Sequence, residues 1–440
     1  MKQYFEDLSQ AVFGAVATDE QASLYFHGER SDFVRFNHAR VRQIGTVDQA
    51  YATFNLQKNG RAISEEFICG ENPKEDAQRL INNLGALREA LSVLPEDPYA
   101  VFYDTDNIRV EEDTSENVSV HDVVEDICST AAGTDLVGFY ASGPQFFGYA
   151  NHRGAHKWFS RASHVLEYSL YAHGDKAVKS GLAGSRWSTD DWLKSFASQK
   201  EQLALMEKEP VTLSPGTYRV FLSPAAVAEI LDVFCWGGFS QRAKEEKRSA
   251  LQLLYENKKQ LGPQISLVED TEAGVGPFFN SAGFDRPPQT HLVREGRGTD
   301  LLVAPRTAKQ IGGVNNGADE GESPQSLSMA GGQLQEADVL SALGDGIYIN
   351  NLWYLNYSDR LAGRITGMTR FGCFQVTRGQ LVAPINVMRF DDSIYSLFGT
   401  ACEGLTQQRH TEISAATYGA RSASAKCTPG ALLGAMKFTL

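Results

Sequence analysis

From Leu343 to Arg370 the chain reads LGDGIYINNLWYLNYSDRLAGRITGMTR. The turn signal Gly344-Asp345-Gly346 opens this stretch, and Ile347, Tyr348, Ile349, Leu352, Trp353, Tyr354 and Leu355 follow. Aromatic and β-branched residues at this density predict a strand. The polar run Asn356 to Arg360 reads as a turn, and Phe371-Gly372-Cys373-Phe374-Gln375-Val376 as the returning strand. This hairpin constrains the fold most, because Asn350, Asn351 and Asn356 sit inside it. Asn is depleted in strands, and a buried amide needs hydrogen-bond partners. With Arg360, Arg364 and Arg370 close by, the amides mark either a cleft lining or a polar network that fixes the sheet. On a regular strand Trp353 and Tyr354 point to opposite faces unless a bulge intervenes. Asn356 and Arg364 are placed to meet across the turn.

A chain of 440 residues with 42% hydrophobic and 22% charged residues has material for a large core and two or three domains. The formal net charge of −13 argues against a nucleic-acid surface, which needs clustered Lys and Arg. No run of 18 apolar residues occurs, so no membrane span is expected. The opening MKQYFEDLSQ lacks the apolar core of a signal peptide. Six scattered cysteines without a C-x-x-C pair point to a reduced, cytoplasmic protein.

Taken in order, residues 2–16 carry apolar side chains at helical spacing. Residues 21–58 switch to short antiparallel strands, punctuated by Gly28, Asn37, Gly45 and Asn59-Gly60. A helix is expected from Pro73 to about Leu94 and another from Ser119 to Thr130, with an acidic loop, residues 107–117, between them. The Asp and Glu residues of that loop lack metal-ligand spacing and read as a solvated charge run. Leu136–Ala141 and Phe146–Ala150 read as strands across a Ser-Gly-Pro turn. His152 and His156 are four apart, but Gly154 between them argues against a shared helical face and a metal pair. Ser188 caps a helix that runs to about Met206. Polar residues with Pro210 and Pro215 then suggest a boundary between a unit of 1–208 and one of 209–440. The second unit starts with the strand Thr217–Leu222, followed by Ser223-Pro224 as helix cap and first helical residue. Residues 241–257 read as resumed helix, and residues 310–335 as a long loop.

Gly344-x-Gly346, the strand after it, Ile365-Thr366-Gly367, the aromatic strand and Arg378-Gly379-Gln380-Leu381-Val382-Ala383-Pro384 together resemble the TldD/PmbA family. That family contains zinc metallopeptidases and non-catalytic partner subunits, and carries an older label as modulators of DNA gyrase. The resemblance implies an α+β protein of two domains. The first holds an antiparallel sheet with helices, and the second is β-rich and of the PmbA/TldD type. Catalytic members bear His-Glu-x-x-x-His on the helix after the second domain's first strand, with a late Cys as a further zinc ligand. Here those positions are Asp232, Val233 and Gly237, with Cys427 as the late cysteine. Both imidazoles and the base are missing, which is the pattern of the non-catalytic TldE/PmbA type. The resemblance then implies no cofactor in this chain, zinc being held by a catalytic partner. It also implies pairing with a TldD-like subunit or with itself, and binding of unfolded peptide. Candidates for the peptide cleft are Asn351, Trp353, Tyr354, Asn356, Arg360, Arg364 and Arg370, with Arg360, Arg364, Arg370 and Arg389 available to a carboxylate. Two alternatives stand beside this reading. One is an active peptidase with an atypical site drawn from Asp232, Cys235 and Cys427. The other is a DNA-associated regulator, which the acidic charge disfavours.

Overall fold

The computed structural model describes residues 1–113 and 119–440. Part of the acidic loop, residues 114–117, therefore lies outside the described residues. The architecture is α+β, with one antiparallel-dominated sheet in the N-terminal part and a larger sheet in the C-terminal part.

The N-terminal part runs α1 (Lys2–Phe13), β1 (Gln21–Asn37), β2 (Arg40–Lys58), β3 (Arg61–Ile68), α2 (Pro73–Val93) and β4 (Ile108–Glu112). It continues with α3 (Val120–Thr130), β5 (Asp135–Asn151), β6 (His156–Tyr171), β7 (Ala177–Gly184) and α4 (Thr189–Met206). The seven strands pair in the order β3-β2-β1-β5-β6, and both β4 and β7 attach to the outer edge of β6. Where the sequence suggested four short strands in residues 21–58, β1 and β2 form one long hairpin. Gly28 is not a turn there. A Cβ on it would lie 2.9 Å from the Gln49 carbonyl oxygen and 3.0 Å from the Ala50 Cβ, so glycine permits a close cross-strand approach. The same holds for the suggested Ser-Gly-Pro turn. Gly143, at φ +134°, lies inside β5, and a Cβ would fall 2.0 Å from the Arg30 carbonyl. Asn59-Gly60 is a true turn, with φ of +52° and +72°. Phe5, Leu8 and Val12 of α1 bury against Phe26, Phe54 and Trp158 of the sheet. Val123, Ile127, Trp192 and Phe196 of α3 and α4 cover Tyr140, Leu166 and Tyr168. Each such fully buried apolar side chain stabilises by roughly 1.5–3 kcal/mol relative to exposure.

The C-terminal part starts with β8 (Gly216–Leu222), α5 (Pro224–Cys235), α6 (Gln241–Glu245) and α7 (Gln252–Tyr255). The helix expected over 241–257 is thus broken into two turns, with Lys247 between them at φ +58°. Next come β9 (Leu267–Asp270), β10 (Gln289–Arg294), β11 (Arg297–Gly298), α8 (Pro305–Ile311), β12 (Ser326–Met329) and α9 (Val339–Leu343). The long hairpin is β13 (Gly346–Asp359) and β14 (Arg364–Thr377), followed by β15 (Gln380–Pro384), β16 (Arg389–Ser393), β17 (Cys402–Ile413) and β18 (Ala425–Phe438). Residues 356–359, read as turn, extend the first strand, and the bend falls after Asp359. Five strands close on themselves: β18 pairs β8, β8 pairs β13, β13 pairs β14, β14 pairs β16, and β16 returns to β18 through Phe390 and Phe438. α5 packs against β13 and β18. Among the described residues no helix is long and apolar enough to cross a membrane.

Buried polar contacts tie the two sheets together. The Lys157 ammonium, fully buried, donates to Tyr103 Oη at 2.9 Å, the Gly283 carbonyl at 2.7 Å and Asp285 Oδ1 at 2.7 Å. Arg421, between β17 and β18, reaches into the first sheet. Its guanidinium donates to the Gly143 carbonyl at 3.0 Å and to the Ser163 carbonyl and hydroxyl at 3.0 and 2.8 Å.

Candidate functional site

The sequence of α5, PAAVAEILDVFC, is apolar except for Glu229 and Asp232. Ser223 caps it by accepting from the Ala226 N–H at 3.2 Å, while its hydroxyl donates to the Asn350 carbonyl at 2.6 Å. Glu229 and Asp232 are three apart, so they share one helix face while Val227, Ile230, Leu231 and Phe234 enter the core. That face meets the junction of the two sheets. Glu229 accepts the Leu352 N–H at 2.6 Å. Asp232 Oδ1 pairs with Lys426 Nζ at 2.6 Å. Lys426 stands opposite Glu412 in the β17–β18 ladder. Lys179 of β7 faces the same group from the first sheet, where it pairs with Glu167 at 2.9 Å.

The charges perturb one another. Burial dominates at Glu229 and pushes its carboxyl up to about 8, with Glu412 adding to the rise and the Leu352 N–H, Lys179 and Asn351 opposing it. At Lys426 burial works against the ammonium, yet Asp232, Cys235 and Glu412 hold its pKa above the usual lysine value. The buried Cys235 thiol is pushed up to about 12, chiefly by desolvation, which makes it inert.

The end of α5 is clamped to the hairpin tip. Tyr357 Oη donates to the Val233 carbonyl at 2.6 Å, and the Arg360 guanidinium donates to the carbonyls of Trp236 and, at 3.0 Å, Arg248. The donors to Val233 and Trp236 meet carbonyls at the C-terminal end of α5 and complement its dipole, while the Arg248 contact ties in the following loop. Zinc donors do not fit here. Asp232 is engaged by Lys426, and Val233 is 2% exposed in the core. Gly237 holds φ +83°, and a Cβ on it would lie 3.2 Å from Arg360 Nη2. Among the described residues no three His, Cys, Asp or Glu side chains converge with metal-ligand geometry, Asp232, Cys235 and Cys427 included. Cys427 lies on β18 opposite Thr411. His152 Nδ1 accepts the Ala22 N–H at 3.0 Å, while His156 faces Glu6 at 3.7 Å, so the two histidines are separately engaged.

Of the hairpin residues, Asn351 is buried and joins the junction. Asn350 Nδ2 donates to its Oδ1 at 3.0 Å and to the Lys179 carbonyl at 2.8 Å. A bulge between Trp353 and Asn356, with Tyr354 at φ +51°, breaks the alternation expected of Trp353 and Tyr354. Both rings reach solvent, 43% and 67% exposed, and stack at 4.2 Å. Arg370 lies over the Trp353 ring at 4.7 Å. Asn356 is exposed, caps the Tyr357 N–H at 2.8 Å and stands opposite Thr366. Arg364 does not meet it but pairs with Asp391. The sequence reading missed Glu229, Glu412, Lys426 and Lys179. Two carboxylates three apart on an otherwise apolar helix were the visible signal for Glu229. The other three come from distant strands and carried no local signal.

The chain is thus a two-sheet α+β protein whose charged junction is organised by the one helix, α5, that follows the second sheet's opening strand. It belongs to the PmbA/TldD family: the model for the PmbA/TldA metallopeptidase C-terminal domain matches residues 215–439, just over half of the chain. The structure of TldE from Thermococcus kodakarensis is similar over 99% of this chain and 100% of that one, with TM-score 0.80 and 12% identity. A proposed DNA gyrase modulator from Thermotoga maritima MSB8 matches over 99% and 100%, with TM-score 0.78 and 14% identity. Another from Bacteroides thetaiotaomicron VPI-5482 matches over 100% and 98%, with TM-score 0.74 and 14% identity. At these identities the likeness establishes the fold. No curated protein matches the chain.

Proposed function

We propose that this chain is a non-catalytic partner subunit of the family, acting in the cytoplasm. It binds extended, unfolded peptide and assembles with a His-Glu-x-x-x-His peptidase subunit or with a second copy of itself. The observation that carries the reading is α5. At the family's zinc positions stand an ion-paired Asp232, a core Val233 and a Gly237 pressed against Arg360. The fold shared with a protein called TldE supports it. Peptide binding is supported by the exposed, stacked Trp353 and Tyr354 rings of the hairpin. β13 pairs with β8 only through Ile347, Tyr348 and Ile349, and beyond them it pairs with β14 alone. Beyond Ile349 the helix α5 lies along its other edge, with Glu229 taking the Leu352 N–H, so a peptide meets the exposed Trp353–Tyr354 platform instead.

The test measures zinc by elemental analysis, cleavage of an unfolded protein, and mass by light scattering, for the chain alone and mixed with a His-Glu-x-x-x-His family member. The expected result is no stoichiometric zinc and no cleavage by the chain alone, with a species larger than 48.3 kDa. One zinc per chain, lost on Cys427→Ser, together with cleavage by the chain alone, would overturn the reading.

A further inference from the structure

Four arginines surround the hairpin, and three are committed. Arg360 donates to the Trp236 and Arg248 carbonyls, Arg364 pairs with Asp391, and Arg389 Nε donates to Thr366 Oγ1 at 3.0 Å. Arg370 has neither hydrogen-bond acceptor nor acidic partner among the described residues. Its Nε is buried without a partner. Its guanidinium carbon lies 4.7 Å from the Trp353 ring centre and 4.8 Å from that of Phe371. Two rings hold the cation by its faces, where stacking is favourable. They do nothing for its N–H edge, and a desolvated donor without an acceptor is unfavourable. The backbone beneath is unusual as well: Tyr354 and Phe371, on facing strands, hold φ of +51° and +50°, a conformation that costs free energy in non-glycine residues.

We propose that Arg370, held between Trp353 and Phe371, binds the C-terminal carboxylate of an extended peptide that lies across the exposed Trp353–Tyr354 platform. A planar fork of donors beside an exposed aromatic platform fits a planar acceptor with an adjoining side chain. The inference rests on the peptide-binding reading above and adds the end of the peptide that is recognised.

The probe is a fluorescein-labelled unfolded octapeptide in three forms: free acid, C-terminal amide, and amide with Glu at the penultimate position. Anisotropy titrations use the full chain and its Arg370→Gln and Arg370→Lys variants. The free acid is expected to bind the native chain about tenfold more tightly than the plain amide, the worth of one charged hydrogen-bond pair. Arg370→Gln brings that ratio to about one, and Arg370→Lys retains part of it because charge survives without the fork. Thermal melting midpoints of both variants fall by only about 1–4 °C, the ring stacking alone, since no acceptor in the protein loses its donor. Equal binding of acid and amide to the native chain overturns the carboxylate site while leaving peptide binding intact, as does an undiminished ratio in Arg370→Gln. An internal-Glu amide that binds as tightly as the acid also overturns it, in favour of side-chain carboxylates. Failure of every form to bind overturns the peptide reading itself.

Discussion

Replacing Glu229 by Gln should make the protein more stable in alkaline buffer. The carboxyl is held at about 8 in the fold, against an ordinary 4.5, chiefly by burial. A folded-state pKa above the unfolded one means that the native state keeps a proton which the unfolded chain releases. Between pH 4.5 and 8 unfolding therefore releases a proton, and stability falls as pH rises through that window. The full shift corresponds to at most about 5 kcal/mol, and water reaching a partly accessible junction reduces this to about 2–3 kcal/mol. Gln keeps an oxygen for the Leu352 N–H, 2.6 Å from the carboxylate, but does not ionise. Thermal melts at pH 5, 7 and 9 should show native and Glu229→Gln proteins converging at pH 5. At pH 9 the variant should melt higher by roughly 4–12 °C, taking ~2–4 °C per kcal/mol for a part of this size. Parallel pH profiles for the two proteins would refute a buried, proton-holding Glu229.

Arg421→Met should destabilise by about 3–5 kcal/mol, because it strips the guanidinium donors from the Gly143 carbonyl and from the Ser163 carbonyl and hydroxyl, about 1–3 kcal/mol for each buried group left unpaired. Urea unfolding measures the loss, and limited proteolysis should cut the freed segment 414–424. His164 titrates the opposite way from Glu229. Burial, helped by Arg421, pulls its imidazole down to about 4, so native stability is full above pH 6.5 and is lost as pH falls toward 4. His164→Gln should flatten that acid limb in melts between pH 4 and 7, and an unchanged limb would assign the loss to other groups. Grafting the zinc motif through Asp232→His, Val233→Glu and Gly237→His should yield a destabilised chain without stoichiometric zinc by elemental analysis. Glu would enter the core at Val233, and a side chain at 237 would be strained at φ +83° and crowd Arg360 Nη2.

What was legible in the sequence followed local chemistry. Ser188 and Ser223 were readable as caps because an Ncap oxygen acts within three residues, and each accepts a backbone N–H from that range. The helices at 2–13 and 73–93 followed from apolar spacing, and the helix at 189–206 from its cap. Gly28 and Gly143 misled because a glycine demanded by cross-strand crowding and one demanded by a turn look alike in the sequence. The hairpin's aromatic pair was found, but not its arrangement, since the bulge that exposes both rings is set by register against β14. The charged junction was the least legible feature. Lys179, Glu229, Glu412 and Lys426 are brought together only by the docking of two sheets.

The strand β18 has consequences for how this molecule comes into being. It borders β8, β12, β16 and β17, and so joins elements made up to two hundred residues apart. While a ribosome is still adding residues 425–438, β8 waits with one side bare, and the five-strand circle stays open. The first sheet has no such wait, since all its strands are made by residue 184. The two halves should therefore mature at separate times during translation. The late half leaves unpaired strand edges bare for longest, and there chaperone capture or mispairing with a neighbouring nascent chain would concentrate.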